Sequence, residues 1–169
     1  TCQQPTMLVM AGEYRSYPDA VYGQGFRAIV AAIRRHSRSP LAGLKSANYL
    51  ENLLARREAR GAGADEAICL NEKGLVAEAS MSNVFMVDGG VLRTPGENNG
   101  ILPGITRKVV MELAGQAGIS TAEGDITLDS LRRAGEAFLT NSLIEVMPLT
   151  GIEGRPVGDG RPGSVTSRL

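Results

Sequence analysis

Lys45 lies in "SPLAGLKSANYL", among small and apolar residues and just ahead of an amphipathic helical pattern. Most lysines are solvated surface charges. A nucleophilic lysine must lose its proton near neutral pH, and apolar neighbours together with the positive end of a helix dipole both favour that loss. Glu78 ends the apolar run "GLVAE" and precedes the small, polar "ASMSN". A carboxylate there is either a strand-end surface charge or the partner of a buried cationic nitrogen. "NNGILPGITR" carries a glycine- and proline-rich loop into a helix. There the N–H groups of Gly104, Ile105 and Thr106, with the Thr106 hydroxyl, either cradle an anion or simply begin a helix. "FLTNSLIEVMP" places Thr140, Asn141 and Ser142 at a strand end. Their hydroxyls and N–H groups suit a phosphate or a carboxylate, and equally an ordinary turn.

Other chemistries are excluded by composition. The chain has 169 residues, enough for one domain and marginal for two. Eighteen basic residues balance eighteen acidic ones, so no net field steers it to nucleic acid or to a membrane. No apolar run approaches membrane-spanning length, and the start shows no secretory signal pattern. Cys2 and Cys69 form neither a disulfide framework nor a zinc spacing. With His36 as the only histidine, a histidine-rich metal site is excluded and no metal is expected. "GQGFRA" fits part of the dinucleotide fingerprint, but no strand precedes it and no acidic residue follows at about 20 positions. The chain is read as cytoplasmic.

The elements that must position these residues come from periodicity. Pro5–Gly12 reads as a short buried strand, and Phe26–Ile33 as another, ended by "RRHSR". Asn48–Arg60 is a helix, with Leu50, Leu53, Leu54 and Ala55 on one face. Strands follow at Glu66–Asn71 and Gly74–Ala79, then a hairpin over Asn83–Pro95 turning through Asp88-Gly89. Gly104–Gly118 is a helix closed by glycine, "ISTAEG" a strand, and "TLDSLRRAG" a short helix with Thr127 as N-cap. "AFLTNS" and "EVMPLTGI" are strands, and Ser164 is placed to cap a helix of barely one turn. Hairpins beside helices argue for α+β, or an irregular barrel, and against a regular parallel array. Both ends read as cut.

The order and spacing of "LKSANYL", "GLVAEASMSNVFMVDGGVLRTP", "GILPGITR", "FLTNSLIEVMP" and "PVGDGRPGSVT" resemble the fold-type IV, or class IV, aminotransferases that use pyridoxal 5'-phosphate. That family includes branched-chain and D-amino acid aminotransferases and 4-amino-4-deoxychorismate lyases. The resemblance covers essentially all of residues 1–169, as the C-terminal domain of the D-amino acid aminotransferase-like fold, an α/β pseudo-barrel. It implies an absent N-terminal domain, which would supply a phosphate-binding arginine, and a last helix cut short.

By that resemblance Lys45 forms the internal aldimine and moves the proton, and Glu78 pairs with the pyridine nitrogen. Tyr49 meets the phenolic oxygen, Ile105 and Thr106 hold the phosphate, and Ser142 adds a second phosphate contact. Thr140, Asn141 and Ser142 are the substrate-side candidates. The four-residue step from Lys45 to Tyr49 is like the D-amino acid and lyase branches. "LPGITR" and the "PVGDGRPG" region are like the branched-chain branch, and "LTNSLIEVMP" is like the lyases. The implied activity is transamination between a branched-chain-like amino acid and a 2-oxo acid, in a homodimer. Release of pyruvate from aminodeoxychorismate, and an inactive domain that only binds the cofactor or a partner, are the alternatives.

Overall fold

The computed structural model describes residues 4–169; Cys2 lies outside the described residues. Its elements are α1 (Asp19–Gln24), β1 (Phe26–Arg35), α2 (Leu50–Gly61), β2 (Glu66–Asn71), β3 (Val76–Ala79), β4 (Asn83–Asp88) and β5 (Val91–Pro95). A 3-10 turn at Glu97–Asn99 precedes α3 (Ile105–Gln116), β6 (Thr121–Gly124) and α4 (Leu128–Arg133). β7 (Glu136–Asn141), β8 (Glu145–Ile152), β9 (Arg155–Pro156) and α5 (Ser164–Arg168) complete the order. The strands join in one mixed sheet, β3-β2-β1-β8-β7-β4-β5-β6, with β9 added on β8. β1 runs parallel to both β2 and β8, and β5 parallel to β6; the remaining pairs are antiparallel. The far ends of the sheet approach each other. The Val76 N–H donates to the Ile126 carbonyl at 2.8 Å, and Leu75 bridges Thr127. The result is the expected α+β architecture, a partly closed half-barrel with helices packed outside.

β4 shows why these runs become strands with no polar face. Val84 and Met86 point into the barrel core with Leu139, Met147 and Leu149. Phe85 and Val87 point outward, under α3. There Phe85 stacks on Phe138 with ring centroids 4.9 Å apart. A strand buried on both sides has no reason to alternate. The β4–β5 turn needs positive φ at Gly89 (56°) and Gly90 (79°), which two glycines meet without strain. Thr127 caps α4 as expected, its hydroxyl accepting the Ser130 N–H at 3.1 Å.

Three expectations are corrected. Pro5–Gly12 is not a strand: no sheet hydrogen bonds form there, and Met7, Leu8, Val9 and Met10 are each at least 80% exposed. An apolar run becomes a strand only beside a strand to pair with. In α2 the buried residues are Ala55 and Ala59, while Leu50 and Leu53 are exposed. Alanine lets the helix approach Ala31, Ala67 and Cys69 on the sheet closely. Ser164 is the first residue of α5 and Gly163 its N-cap; the helix start is held by the Glu136 carboxylate, which accepts from the N–H groups of Val165 and Thr166.

Beyond Ala28, β1 has no β8 partner. The Val30 N–H donates to the Glu153 carboxylate and the Ala32 N–H to that of Glu58. Side chains thus take the bonds a further strand would make.

Candidate functional site

Glu78 stands opposite Cys69 in the β2–β3 ladder, near the end of β3, and is buried. Its Oε1 meets the Arg35 guanidinium at 2.7 Å. Its Oε2 accepts the Leu102 N–H at 2.8 Å and faces the Asn83 amide nitrogen at 3.4 Å. Arg35 comes from the last residue of β1 and Asn83 from the first of β4. Burial pushes the Glu78 carboxyl above the ordinary carboxylate range, opposed by Arg35, by the Leu102 N–H and by the Lys45 ammonium. The surface-charge reading of Glu78 is therefore set aside.

Asn83 ties this carboxylate to the helix start. Its amide nitrogen also donates to the Leu102 carbonyl at 2.8 Å. Leu102 is thus held at both its N–H and its C=O, two residues before Gly104, the N-cap of α3. A Cβ on Gly104 would collide with Asn83 Oδ1, so the helix start and the Asn83 side chain fit only without one. Ile105 is exposed and Thr106 half-buried on the first turn of α3, whose N–H groups have no partner within the helix. Arg107, buried, anchors that turn through Pro95 C=O at 3.0 Å and an ion pair with Glu123.

β7 closes the other side. Asn83 pairs with Thr140 across the β4–β7 ladder. Thr140 is buried and its hydroxyl has no partner, as is true of the Ser82 hydroxyl. Asn141 shapes the turn that follows: its carbonyl oxygen accepts from Leu143 and Ile144 N–H, and its amide donates to Met81 C=O at 3.0 Å. Ser142 is exposed in that turn.

Lys45 is exposed, in the loop between β1 and α2. The loop's base is pinned where the Ser37 N–H and hydroxyl donate to Glu72, at 2.8 and 2.7 Å. Farther on, Gly43 lies against Ile101 C=O and Pro103, where an added Cβ would meet them at 3.7 and 3.8 Å. The loop therefore crosses the segment leading into α3, which brings the Lys45 charge toward Glu78. The apolar neighbours Leu41 and Leu44 are themselves exposed. Tyr49 is the N-cap of α2, its hydroxyl 3.5 Å from Ser80 C=O. Burial, and then the Glu78 carboxylate, raise its phenol above the ordinary range.

Tyr49, Glu78, Thr106 and Thr140 thus lie on elements joined by one set of hydrogen bonds, while Lys45 stands exposed in the adjoining loop, which meets that set by packing at Gly43. Sequence reasoning missed Arg35 and Asn83. Asn83 opens the hairpin, and that was a usable signal; nothing marks Arg35, one of several basic residues ending β1. Among the described residues no cluster of His, Cys, Asp and Glu is arranged to hold a metal, and no helix is long and apolar enough to cross a membrane. A pyridine phosphate fits what is present: a buried carboxylate for a ring nitrogen, a free helix start for a phosphate, and two unpartnered buried hydroxyls nearby.

Comparison with known proteins identifies the family and the fold. The family model for amino-transferase class IV matches residues 1–152. A Methanocaldococcus jannaschii protein, provisionally named a branched-chain-amino-acid aminotransferase, is 39% identical over 169 residues, covering 99% of this chain and 58% of the relative. The branched-chain aminotransferase structure from Thermoproteus uzoniensis, solved with norvaline, superposes with a TM-score of 0.85 at 39% identity, covering 92% of this chain and 51% of that one. A Legionella pneumophila structure provisionally named a 4-amino-4-deoxychorismate lyase gives a TM-score of 0.77 at 32% identity, covering 87% and 52%. The chain spans about half the length of these relatives.

Proposed function

Because this chain belongs to the class IV aminotransferase family, we propose that it is the part of a pyridoxal 5'-phosphate enzyme that carries the reactive lysine, and that the enzyme transaminates branched-chain-like amino acids with a 2-oxo acid. The observation that carries this is the tie between Glu78 and the start of α3 through Leu102 and Asn83. It supports the reading because it holds a buried carboxylate and a helix start at a set separation, as a ring nitrogen and a phosphate on one molecule would require. When bound, the cofactor supplies a conjugated ring that accepts the electron pair left on Cα.

Each residue then has a definable task. Glu78 accepts the hydrogen bond of a protonated ring nitrogen. Thr106 donates its hydroxyl, and Ile105 its N–H, to the phosphate at the positive end of α3. Ser142 donates to the phosphate from the opposite turn, and Thr140, buried and unpartnered, to an anionic group of cofactor or substrate. Asn141 holds the turn that presents both. Lys45 would hold the cofactor through its Nζ, and that amine, when free, would carry the proton taken from Cα. The Tyr49 hydroxyl orients the phenolic oxygen.

Borohydride reduction of the chain after addition of pyridoxal 5'-phosphate, followed by peptide mapping, places the label on Lys45; label spread over surface lysines refutes the assignment. The likeness to the Legionella structure keeps a second reading, lyase action on aminodeoxychorismate. Both readings use Lys45 to move the Cα proton, and they differ in product. A full-length protein that forms a new amino acid from 2-oxoglutarate is a transaminase, and one that releases pyruvate is a lyase. A homodimer in the cytoplasm is the assembly and setting proposed for it.

A further inference from the structure

Arg35 is the only side-chain cation within ion-pair distance of Glu78 among the described residues. Its contact is short, 2.7 Å, and both side chains are largely withdrawn from water, with 16% and 7% of their surface exposed. A carboxylate taken out of water tends to hold its proton. A protonated Glu78 could not keep a proton on a ring nitrogen, since it would offer a donor where an acceptor is needed.

We infer that Arg35 is a positioning residue that keeps Glu78 ionised and aims its remaining lone pair at the cofactor ring, and so sets the pH range over which the site holds a ring nitrogen protonated. The division of the carboxylate supports this. Arg35 occupies Oε1, while the Leu102 N–H and Asn83 amide occupy Oε2. An ionised carboxylate has about four lone-pair sites, so one remains for the ring. Arg35 itself is fixed by β1, its backbone in register with Asn71 and its carbonyl accepting the Glu72 N–H at 3.1 Å.

The other groups facing Glu78 do not duplicate this role. Lys45 favours the ionised form, but more weakly than Arg35 or the Leu102 N–H. Once bonded to a cofactor it no longer presents a free ammonium. Cys69, opposite Glu78, is a neutral thiol held up to about 12 by burial, and Tyr49 is a neutral phenol. Arg35 is the cation in contact with Glu78 whatever the state of Lys45.

The role of Arg35 in the loaded site rests on the assignment of Glu78 to the ring nitrogen; its effect on Glu78 ionisation does not, so the test begins without cofactor. The Glu78 carboxyl carbon is followed by NMR against pH in the unliganded chain. Arg35→Met should raise its midpoint by about 1–3 units, the usual effect of losing an opposite charge at contact. Arg35→Lys should restore most of that shift. In the unaltered chain the Arg35 guanidinium signals should titrate with the same midpoint. With nitrogen-15 pyridoxal phosphate bound, the ring nitrogen should be protonated at neutral pH in the parent chain, and in Arg35→Met its signal should move toward that of a neutral, hydrogen-bonded nitrogen as the shared proton passes to the more basic Glu78 carboxylate. A folded Arg35→Met chain with an unmoved Glu78 midpoint overturns the inference. If that variant does not fold, guanidinium signals blind to the Glu78 titration overturn it equally. Absence of cofactor at Lys45 in the parent chain refutes the proposed function and leaves the Arg35–Glu78 coupling standing.

Discussion

Replacing Gly104 by alanine should destabilise the chain through a single collision. Backbone conformation is no obstacle, since φ is −69° and ψ 143° there. Two local effects nearly cancel. Alanine is a poorer N-cap than glycine by about 0.5–1 kcal/mol, and it reduces the freedom of the unfolded chain by about 0.4–1 kcal/mol. What remains is the overlap of the new methyl with Asn83 Oδ1. Asn83 cannot swing away cheaply. It is buried, and its amide holds the Leu102 carbonyl at 2.8 Å and faces Glu78 at 3.4 Å. Overpacking of this kind costs about 1–3 kcal/mol. Urea unfolding followed by circular dichroism should show that loss with an unchanged dependence on denaturant. In an Asn83→Ala background the obstacle is gone, and the same Gly104→Ala change should cost less than about 1 kcal/mol. Equal costs in the two backgrounds, within about 0.5 kcal/mol, would show that the sites are independent and that the reasoning is wrong.

Three further outcomes follow from the geometry. Thr106→Val removes one hydroxyl donor to a phosphate dianion, about 1.5–3 kcal/mol; equilibrium dialysis should show pyridoxal phosphate affinity reduced roughly tenfold to a hundredfold, with thermal stability retained. Cys69, buried and held up to about 12, should resist thiol reagents at pH 8 in the folded chain and react fully once the chain is unfolded in urea. Glu72 is lowered from 4.5 to about 2 by the Ser37 donors. A depressed carboxyl contributes its stabilisation above its unfolded value and loses it as pH falls through the folded one. The Ser37 clamp should therefore persist through pH 4.5 and release toward pH 2, read as the Ser37 amide shift, and Ser37→Ala should raise the Glu72 midpoint.

The residues proposed to bear the chemistry stand out in the sequence because each lies where local physics has few options. Glu78 ends an apolar strand, and Gly104 to Thr106 begin a helix after glycine and proline. What was not legible depends on partners distant in sequence. Arg35 reads as one of several basic residues, and only the β1–β2–β3 pairing sets it beside Glu78. Met7 to Met10 carry a strand's composition, but composition cannot say whether an edge is there to receive them. The leucines of α2 outrank its alanines in hydrophobicity, yet the sheet takes the alanines because they permit close approach. The hairpin at Asp88 to Val91 was the easiest element, since its glycines, strands and register are all local.

The carboxylates along the outer half of β1 bear on how copies of this chain meet. A strand with bare N–H groups on one side is a template for any extended segment that drifts past, and β1 is apolar enough to hold one. Glu153 and Glu58 sit in the places such a segment would use. They answer the backbone with charge but offer no further backbone in return, so sheet growth stops there. The chain thus discourages edge-to-edge polymerisation with two side chains borrowed from a turn and a helix. Removing both would leave the edge open to fibril-like stacking even though no core residue had changed.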